Sequence, residues 1–223
     1  MPDAVHAILV LMVAFFFKAL VALVTVVDPV GLVPVVLGLT AGFMPQVRTL
    51  IVVRAVVIAA VIIAFFGVFG RILFTSLGVT PEAFSVAGGA LLFLVAIDML
   101  FGRQSGTRET PREQREARSR EDLNISVFPL AIPMIAGPGT ITTIILLVDS
   151  AGGQLTYFAA IAVATALTLA AALLTMLVST QIQKRIGTTG ILVIGRVLGM
   201  LLAAVALQFI LNGIAAFIQH DIG

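Results

Sequence analysis

Two short segments rich in proline and glycine interrupt hydrophobic stretches that are each long enough to cross a lipid bilayer. The first runs from Asp28 to Pro34 with the sequence DPVGLVP, and the second runs from Gly137 to Thr140 with the sequence GPGT. They begin at residues 28 and 137, which are 109 positions apart. Backbone that leaves the helical hydrogen-bond pattern inside a membrane is costly unless protein or a water-filled cavity surrounds it. The chain must therefore fold so that other helices enclose both breaks.

The composition indicates an integral membrane protein. Hydrophobic residues make up 60% of the 223 residues, charged residues only 11%, and the mean hydropathy is +1.18. A water-soluble domain of this size could not cover its surface with so few polar side chains. Cysteine is absent and the two histidines, His6 and His220, lie near the ends, so we expect no metal site and no cofactor. With no Ser/His pair and no paired intramembrane Asp, we predict no catalytic residues and no enzyme activity, and the charge pattern predicts no nucleic-acid partner.

Six membrane-spanning helices can be drawn along the chain. Their predicted ranges are 15–40, 48–74, 82–101, 125–148, 154–179 and 190–213, and residues 4–14 either extend the first helix or form an interfacial piece before it. Residues 102–124 carry many charges of both signs and are predicted to form a hydrated cytoplasmic linker. Arg48, Lys184 and Arg185 then also face the cytoplasm. This orientation places a multi-pass protein in the cell (inner or plasma) membrane with both termini extracytoplasmic.

An internal repeat accompanies the two breaks. The segment Gly89–Met99 aligns without gaps to Gly199–Phe209, at an offset of 110 residues, close to the 109 that separates the breaks. A nearly constant offset indicates duplication, with repeats at 1–101 and 125–223. Each repeat holds three spans, and an odd number makes the second copy enter the membrane from the opposite side. We therefore predict an all-α fold of two inverted three-helix repeats, with helices 1 and 4 broken near mid-membrane.

The residues of the breaks define a candidate binding site. Proline removes a backbone donor and disturbs the preceding helical turn, and glycine permits conformations closed to other residues. The half-helix after each break starts with free N–H groups that favour an anion. Paired breaks in two halves point to a transporter's binding site, whereas a plain proline kink is the alternative. The predicted substrate-binding residues are Asp28, Pro29, Gly31, Pro34, Gly137, Pro138, Gly139, Thr140 and Thr143.

Two charged residues leave alternatives open. Asp28 could bind an ammonium group, carry a proton or hold a cation, and it could also cap the half-helix that follows it. These roles are compatible with one another. Arg196, some six residues inside the sixth predicted span, either extends its side chain to the cytoplasmic interface or pairs with Asp28 or a substrate carboxylate.

Three motifs resemble those of the MarC family of membrane proteins. They are DPVGLVP at 28–34, PLAIPMIAGPGTITT at 129–143 and QFILNGI at 208–214. The resemblance to the SnatA-like branch of this family implies a secondary transporter of small neutral amino acids such as glycine and alanine. It further implies coupling to a proton or ion gradient, with Na+ as one candidate ion, and a lipid bilayer as the environment. The sequence leaves open a homo-oligomer, a cation, metal or other small-solute exporter, and a non-transporting membrane subunit.

Overall fold

A computed structural model describes residues 2–40, 43–101, 124–182 and 188–222, and every regular element within these ranges is helical. The predicted linker at 102–124 lies outside these ranges except for Asn124, as do Lys184 and Arg185. The helical segments, in chain order, are α1 (Pro2–Val27), α2 (Leu32–Leu39), α3 (Pro45–Leu77), α4 (Pro81–Phe101), α5 (Ser126–Ile135), α6 (Pro138–Ser150), α7 (Leu155–Ile182) and α8 (Thr188–Ile222).

Four stretches in the described residues are long and apolar enough to cross a membrane: Val10–Leu39, Pro45–Leu77, Leu155–Ser179 and Gly199–Gln219. A fifth arises if α5 and α6, which meet at a bend of 52°, count as one span. The third predicted span corresponds to α4, which has 21 residues and is about 32 Å long.

The first break lies where the sequence predicted it. Helix α1 ends at Val27 and α2 begins at Leu32, and α1 is continuous from Pro2, so the apolar N-terminal residues extend the first helix. Pro34 differs from expectation because it lies in the first turn of α2 and not in the break. Proline is tolerated in a first turn, where the N–H it lacks would have no intrahelical acceptor.

The second break extends back into α5, which is itself irregular. Phe128 and Ile132 have extended backbone angles inside it, at φ −130° and −125°. Each residue precedes a proline, and the proline ring disfavours helical angles in the residue before it. Regular helix resumes only at α6, for which Gly137 is the N-cap residue and Pro138 the first helical residue.

The helices pack in a reciprocal pattern. The first broken pair, α1 and α2, packs on α7, and the second broken pair, α5 and α6, packs on α3. Helix α2 also contacts α8, α6 contacts α4, and α3 contacts α7. Each broken pair therefore packs mainly against a long helix from the other half of the chain.

Helices α4 and α8 pack closely and antiparallel through three glycines. A Cβ atom on Gly89 would lie 2.8 Å from the Ala206 carbonyl oxygen, and one on Gly213 would lie 2.8 Å from the Glu82 carbonyl oxygen. At the opposite end, a Cβ on Gly199 would lie 3.1 Å from the Leu100 nitrogen. Small residues let helix backbones approach closely where lipid supplies no hydrophobic driving force.

Candidate functional site at the helix breaks

Asp28 organises the first break. Its backbone has a φ of 45°, a left-handed conformation that Asp and Asn tolerate better than most residues. Its Oδ1 accepts a hydrogen bond of 3.0 Å from the Gly31 N–H, and its carbonyl oxygen accepts one of 3.1 Å from the Leu32 N–H. The carboxylate thus caps the start of α2, as one sequence interpretation proposed. A Cβ on Gly31 would collide with that carboxylate, so a larger residue here would displace the Asp28 side chain from this hydrogen bond.

A hydroxyl from α7 reaches the first break. Thr175 Oγ1 lies 2.8 Å from the Pro29 carbonyl oxygen and 3.0 Å from the carbonyl oxygens of Ala171 and Ala172 in its own helix. The single hydroxyl proton is shared among these acceptors. Thr175 is therefore the residue that ties α7 to the break. The sequence does not single out Thr175, because α7 contains other threonines, such as Thr165 and Thr168, whose hydroxyls bond only within the helix. Sequence alone does not show which of these hydroxyls reaches another helix.

The second break is held by contacts within its own chain segment. The Thr140 hydroxyl donates a hydrogen bond of 2.9 Å to the Ile135 carbonyl oxygen, and the Ala136 N–H donates one of 2.9 Å to the Ala131 carbonyl oxygen. A Cβ on Gly137 would collide with the Pro133 carbonyl oxygen. The φ of Gly137 is −79°, which any residue can adopt. Glycine is therefore required by the close approach of the Pro133 carbonyl and not by the backbone conformation.

The two breaks are neighbours in the structure. A Cβ on Gly139 would lie 2.8 Å from Val26 Cγ1, two residues before Asp28, and 3.7 Å from Phe209 Cε1 on α8. On α4, a Cβ on Gly88 would collide with the Pro138 ring. We call the meeting point of Val26, Pro138, Gly139 and Phe209 the junction. Helices α1, α4, α6 and α8 all meet there.

The predicted site residues differ in how far they are exposed to solvent. Asp28 is exposed, Pro29 is buried and Thr143 is half-buried on α6. Arg196 is exposed on α8, and within the described ranges no ion pair joins it to Asp28. An ion pair joins Arg71 to Asp149 at 3.1 Å, between the ends of α3 and α6.

A groove lies beside each break. The first, of about 300 Å³, separates the start of α2 from α7 and is lined by Val30, Val33, Leu174, Thr175, Val178 and Ser179. The second, of about 250 Å³, lies among α4, α6 and α8 and includes Thr142 and Phe209 in its walls. Among the described residues, no group of three or more His, Cys, Asp or Glu side chains could hold a metal ion.

These features define a helical multi-pass membrane protein in which two broken helices meet. Residues 13–218 match the sequence model described as "MarC family integral membrane protein", and the chain belongs to that family. It is 34% identical to a UPF0056 membrane protein of Aquifex aeolicus over 208 residues, covering 92% of this chain and 94% of that protein. It is also 34% identical to the UPF0056 membrane protein YvbG of Bacillus subtilis over 204 residues, covering 92% and 96%. No solved structure matches the chain.

Proposed function

We propose that this protein is a secondary transporter of small neutral amino acids such as glycine and alanine, driven by a proton or Na+ gradient. It acts as a carrier and not as an enzyme. The observation that carries the proposal is the contact between the two helix breaks, with Gly139 against Val26. Unwound backbone is tolerated at membrane depth where it lines a path or a site, and paired breaks in two halves are typical of transporter binding sites.

The reciprocal packing supports an architecture of six spans in two inverted three-helix repeats. Exchanging α1 and α2 for α5 and α6, α3 for α7 and α4 for α8 converts α1–α7 packing into α5–α3 packing, and α2–α8 packing into α6–α4 packing. The antiparallel contact of α4 with α8 is the geometry that an inverted copy requires. Alternating access would then rock one repeat against the other around the junction.

The second break is the better place for a substrate carboxylate. Pro138 has no N–H, and the Ile141 N–H bonds to the Gly137 carbonyl oxygen at 2.9 Å. Helix geometry therefore leaves the N–H groups of Gly139 and Thr140 without an intrahelical acceptor, at the positive end of the α6 dipole. At α2 the corresponding Gly31 N–H is already occupied by the Asp28 carboxylate.

The first break suits the substrate ammonium group. Proline at position 29 deprives the Thr25 carbonyl of its helical donor, and the Pro29 carbonyl itself faces Thr175. One oxygen of Asp28 caps Gly31, which leaves the other oxygen able to accept a hydrogen bond. A small zwitterion bridging the two breaks would satisfy both sets of groups. The close packing at Gly137 and Gly139 leaves little space between the breaks, which favours a small substrate.

The test is uptake of radiolabelled glycine and alanine into proteoliposomes carrying the full chain. We expect accumulation that requires an imposed inward Na+ or proton gradient and that unlabelled alanine reduces. Empty liposomes and a large substrate such as phenylalanine serve as controls. Ion flux without amino-acid dependence would replace the proposal with a cation pathway. Absence of both fluxes from protein that remains folded would indicate a non-transporting subunit.

A further inference from the structure

The 250 Å³ groove beside the second break has walls from three helices, and each helix contributes at least one side chain that carries oxygen. Helix α4 contributes Glu82 and Ser85, α6 contributes Thr142, and α8 contributes Asn212. The groove opens at the first turn of α4, which the charge distribution along the chain places at the extracytoplasmic side. We call it the outer groove.

Glu82 is not occupied as a helix cap. The Thr80 hydroxyl accepts a hydrogen bond of 3.2 Å from the Ala83 N–H, and the Thr80 carbonyl oxygen accepts one of 3.0 Å from the Phe84 N–H. Thr80 therefore performs the capping of α4, and Glu82, which lines the groove, is not needed for it. Close packing of Gly213 against the Glu82 carbonyl oxygen holds this turn against α8.

Thr142 supplies the second, independent observation. Its hydroxyl oxygen is buried and has no hydrogen-bond partner within the described residues. A buried polar group without a partner is rare and destabilises the folded protein. Across the groove, Asn212 Oδ1 accepts a hydrogen bond of 2.7 Å from Gln208 Nε2, which orients the amide and leaves a second lone pair on that oxygen. Thr142 and Asn212, which both line the groove, therefore retain oxygen lone pairs able to accept a hydrogen bond or bind a cation.

Phe209 connects the outer groove with the junction. Its ring lines the groove, and its Cε1 is also 3.7 Å from where a Cβ on Gly139 would lie. A ligand in the groove is therefore separated by this ring from the N–H groups at the start of α6. This arrangement places the groove on the outer approach to the proposed substrate site.

We propose that the outer groove binds a monovalent cationic group, held by the Glu82 carboxylate and the oxygens of Ser85, Thr142 and Asn212. The inference rests on the proposed transport function, because it gives the carrier an outer site for either a substrate ammonium group or a coupling Na+. A single carboxylate among neutral oxygens matches one positive charge, whereas divalent ions recruit several carboxylates.

Binding to the full-length chain in lipid nanodiscs tests the inference separately from transport. Thermal unfolding is followed while NaCl or methylammonium chloride replaces choline chloride at constant ionic strength, and separately while glycine is added at a fixed choline chloride concentration. Stabilisation by NaCl identifies a free ion, and stabilisation by methylammonium identifies an ammonium site. No stabilisation by any of the three overturns the inference.

Three variants assign any binding to the groove. Glu82→Gln removes the charge and is expected to weaken binding about tenfold or more, because hydrogen bonds to charged groups contribute roughly 1.5–3 kcal/mol. Thr142→Val is expected to raise the stability of the ligand-free protein, since it removes an unpaired hydroxyl, and to weaken binding several-fold. Asp149→Asn, at an exposed carboxylate paired with Arg71, is the control and is expected to leave binding unchanged.

The outcomes separate the two proposals. If Glu82→Gln and Thr142→Val both leave cation binding unaltered, the cation binds at another place and the outer groove is not the site. Should Glu82→Gln fail to fold, Thr142→Val still decides, because a purely structural role would not couple higher ligand-free stability to weaker binding. Glycine uptake without groove binding overturns only this inference. Groove binding without any uptake overturns only the proposed transport function.

Discussion

Asp28 shows how one side chain can be structural and still chemically available. Its Oδ1 caps the Gly31 N–H, its left-handed backbone turns the chain between α1 and α2, and the residue remains exposed. A cap needs an acceptor oxygen and no charge, whereas proton or cation coupling needs a carboxylate. The two roles can therefore be separated by substitution.

We expect Asp28→Asn to retain the stability of the protein, because the amide oxygen can accept the same hydrogen bond and Asn tolerates positive φ. Asp28→Ala should lower the unfolding free energy by about 1–2 kcal/mol through loss of the cap. Thermal unfolding of both variants in nanodiscs checks this. The pH and Na+ dependence of glycine uptake by Asp28→Asn then separates the roles: an unchanged dependence leaves Asp28 as a cap alone.

Thr175 donates a hydrogen bond that joins α7 to the first break. We expect Thr175→Val to lower the unfolding free energy by about 1–2 kcal/mol, because the buried Pro29 carbonyl loses its donor from another helix. Thr165→Val is the matched control, since the Thr165 hydroxyl bonds only to the Ile161 carbonyl oxygen of its own helix at 2.8 Å. Equal stability of the two variants would contradict a specific role for Thr175.

At the scale of elements, the breaks matter through their mutual contact. Helix α6 starts against the end of α1, and α4 lies so close to Pro138 that Gly88 could not carry a side chain. Such contacts require that the glycines carry no side chain, so glycine-to-alanine substitutions test them directly. The close packing also means that a change in one break is felt by the other.

The Gly139–Val26 contact predicts a compensating pair of substitutions. We expect Gly139→Ala to reduce glycine uptake strongly and to destabilise the protein by about 1–3 kcal/mol, as overpacking does. Val26→Ala should restore much of both losses in the double variant by vacating the space that the new methyl group needs. Gly67→Ala is the control, because its Cβ would meet a single side-chain carbon, Ile144 Cγ2, at 3.3 Å. Losses that Val26→Ala does not relieve would argue against this contact.

Local signals predicted the elements well, and long-range contacts could not be predicted from them. The breaks were found because Pro29 and Pro138 remove helical donors wherever they stand. Pro34 was assigned to the break because the sequence does not show that the first turn of α2 accommodates it. The roles of Thr175 and Gly88 depend on which helices become neighbours, and that is decided by packing across the whole chain.

At the scale of the molecule, the exposed surface is dominated by large apolar side chains, including Val61, Val68 and Leu174, which are 65%, 69% and 63% exposed. Lipid must cover this surface. The exposed ion pair between Arg71 and Asp149 contributes only about 0–1 kcal/mol to the free energy of unfolding in water. Its two charges indicate that α3 and α6 have a polar end there.

The proposed orientation can be tested with single cysteines, since the chain has none of its own. Met44→Cys, at an exposed residue before α3, should react with a membrane-impermeant maleimide only from the cytoplasmic side. Gln154→Cys, at an exposed residue before α7, should react only from the opposite side. Labelling of both from one side would contradict an odd number of crossings between them, and with it the inverted repeat.

Because each broken pair packs on a long helix of the other half, neither half of the chain can bury its own break. A fragment ending before α5 keeps α1 and α2 but loses α7 and the Thr175 donor, so its unwound peptide groups would face lipid. Neither fragment should therefore accumulate when expressed alone, whereas the two produced together can complete one another. The halves are obligate partners within one polypeptide.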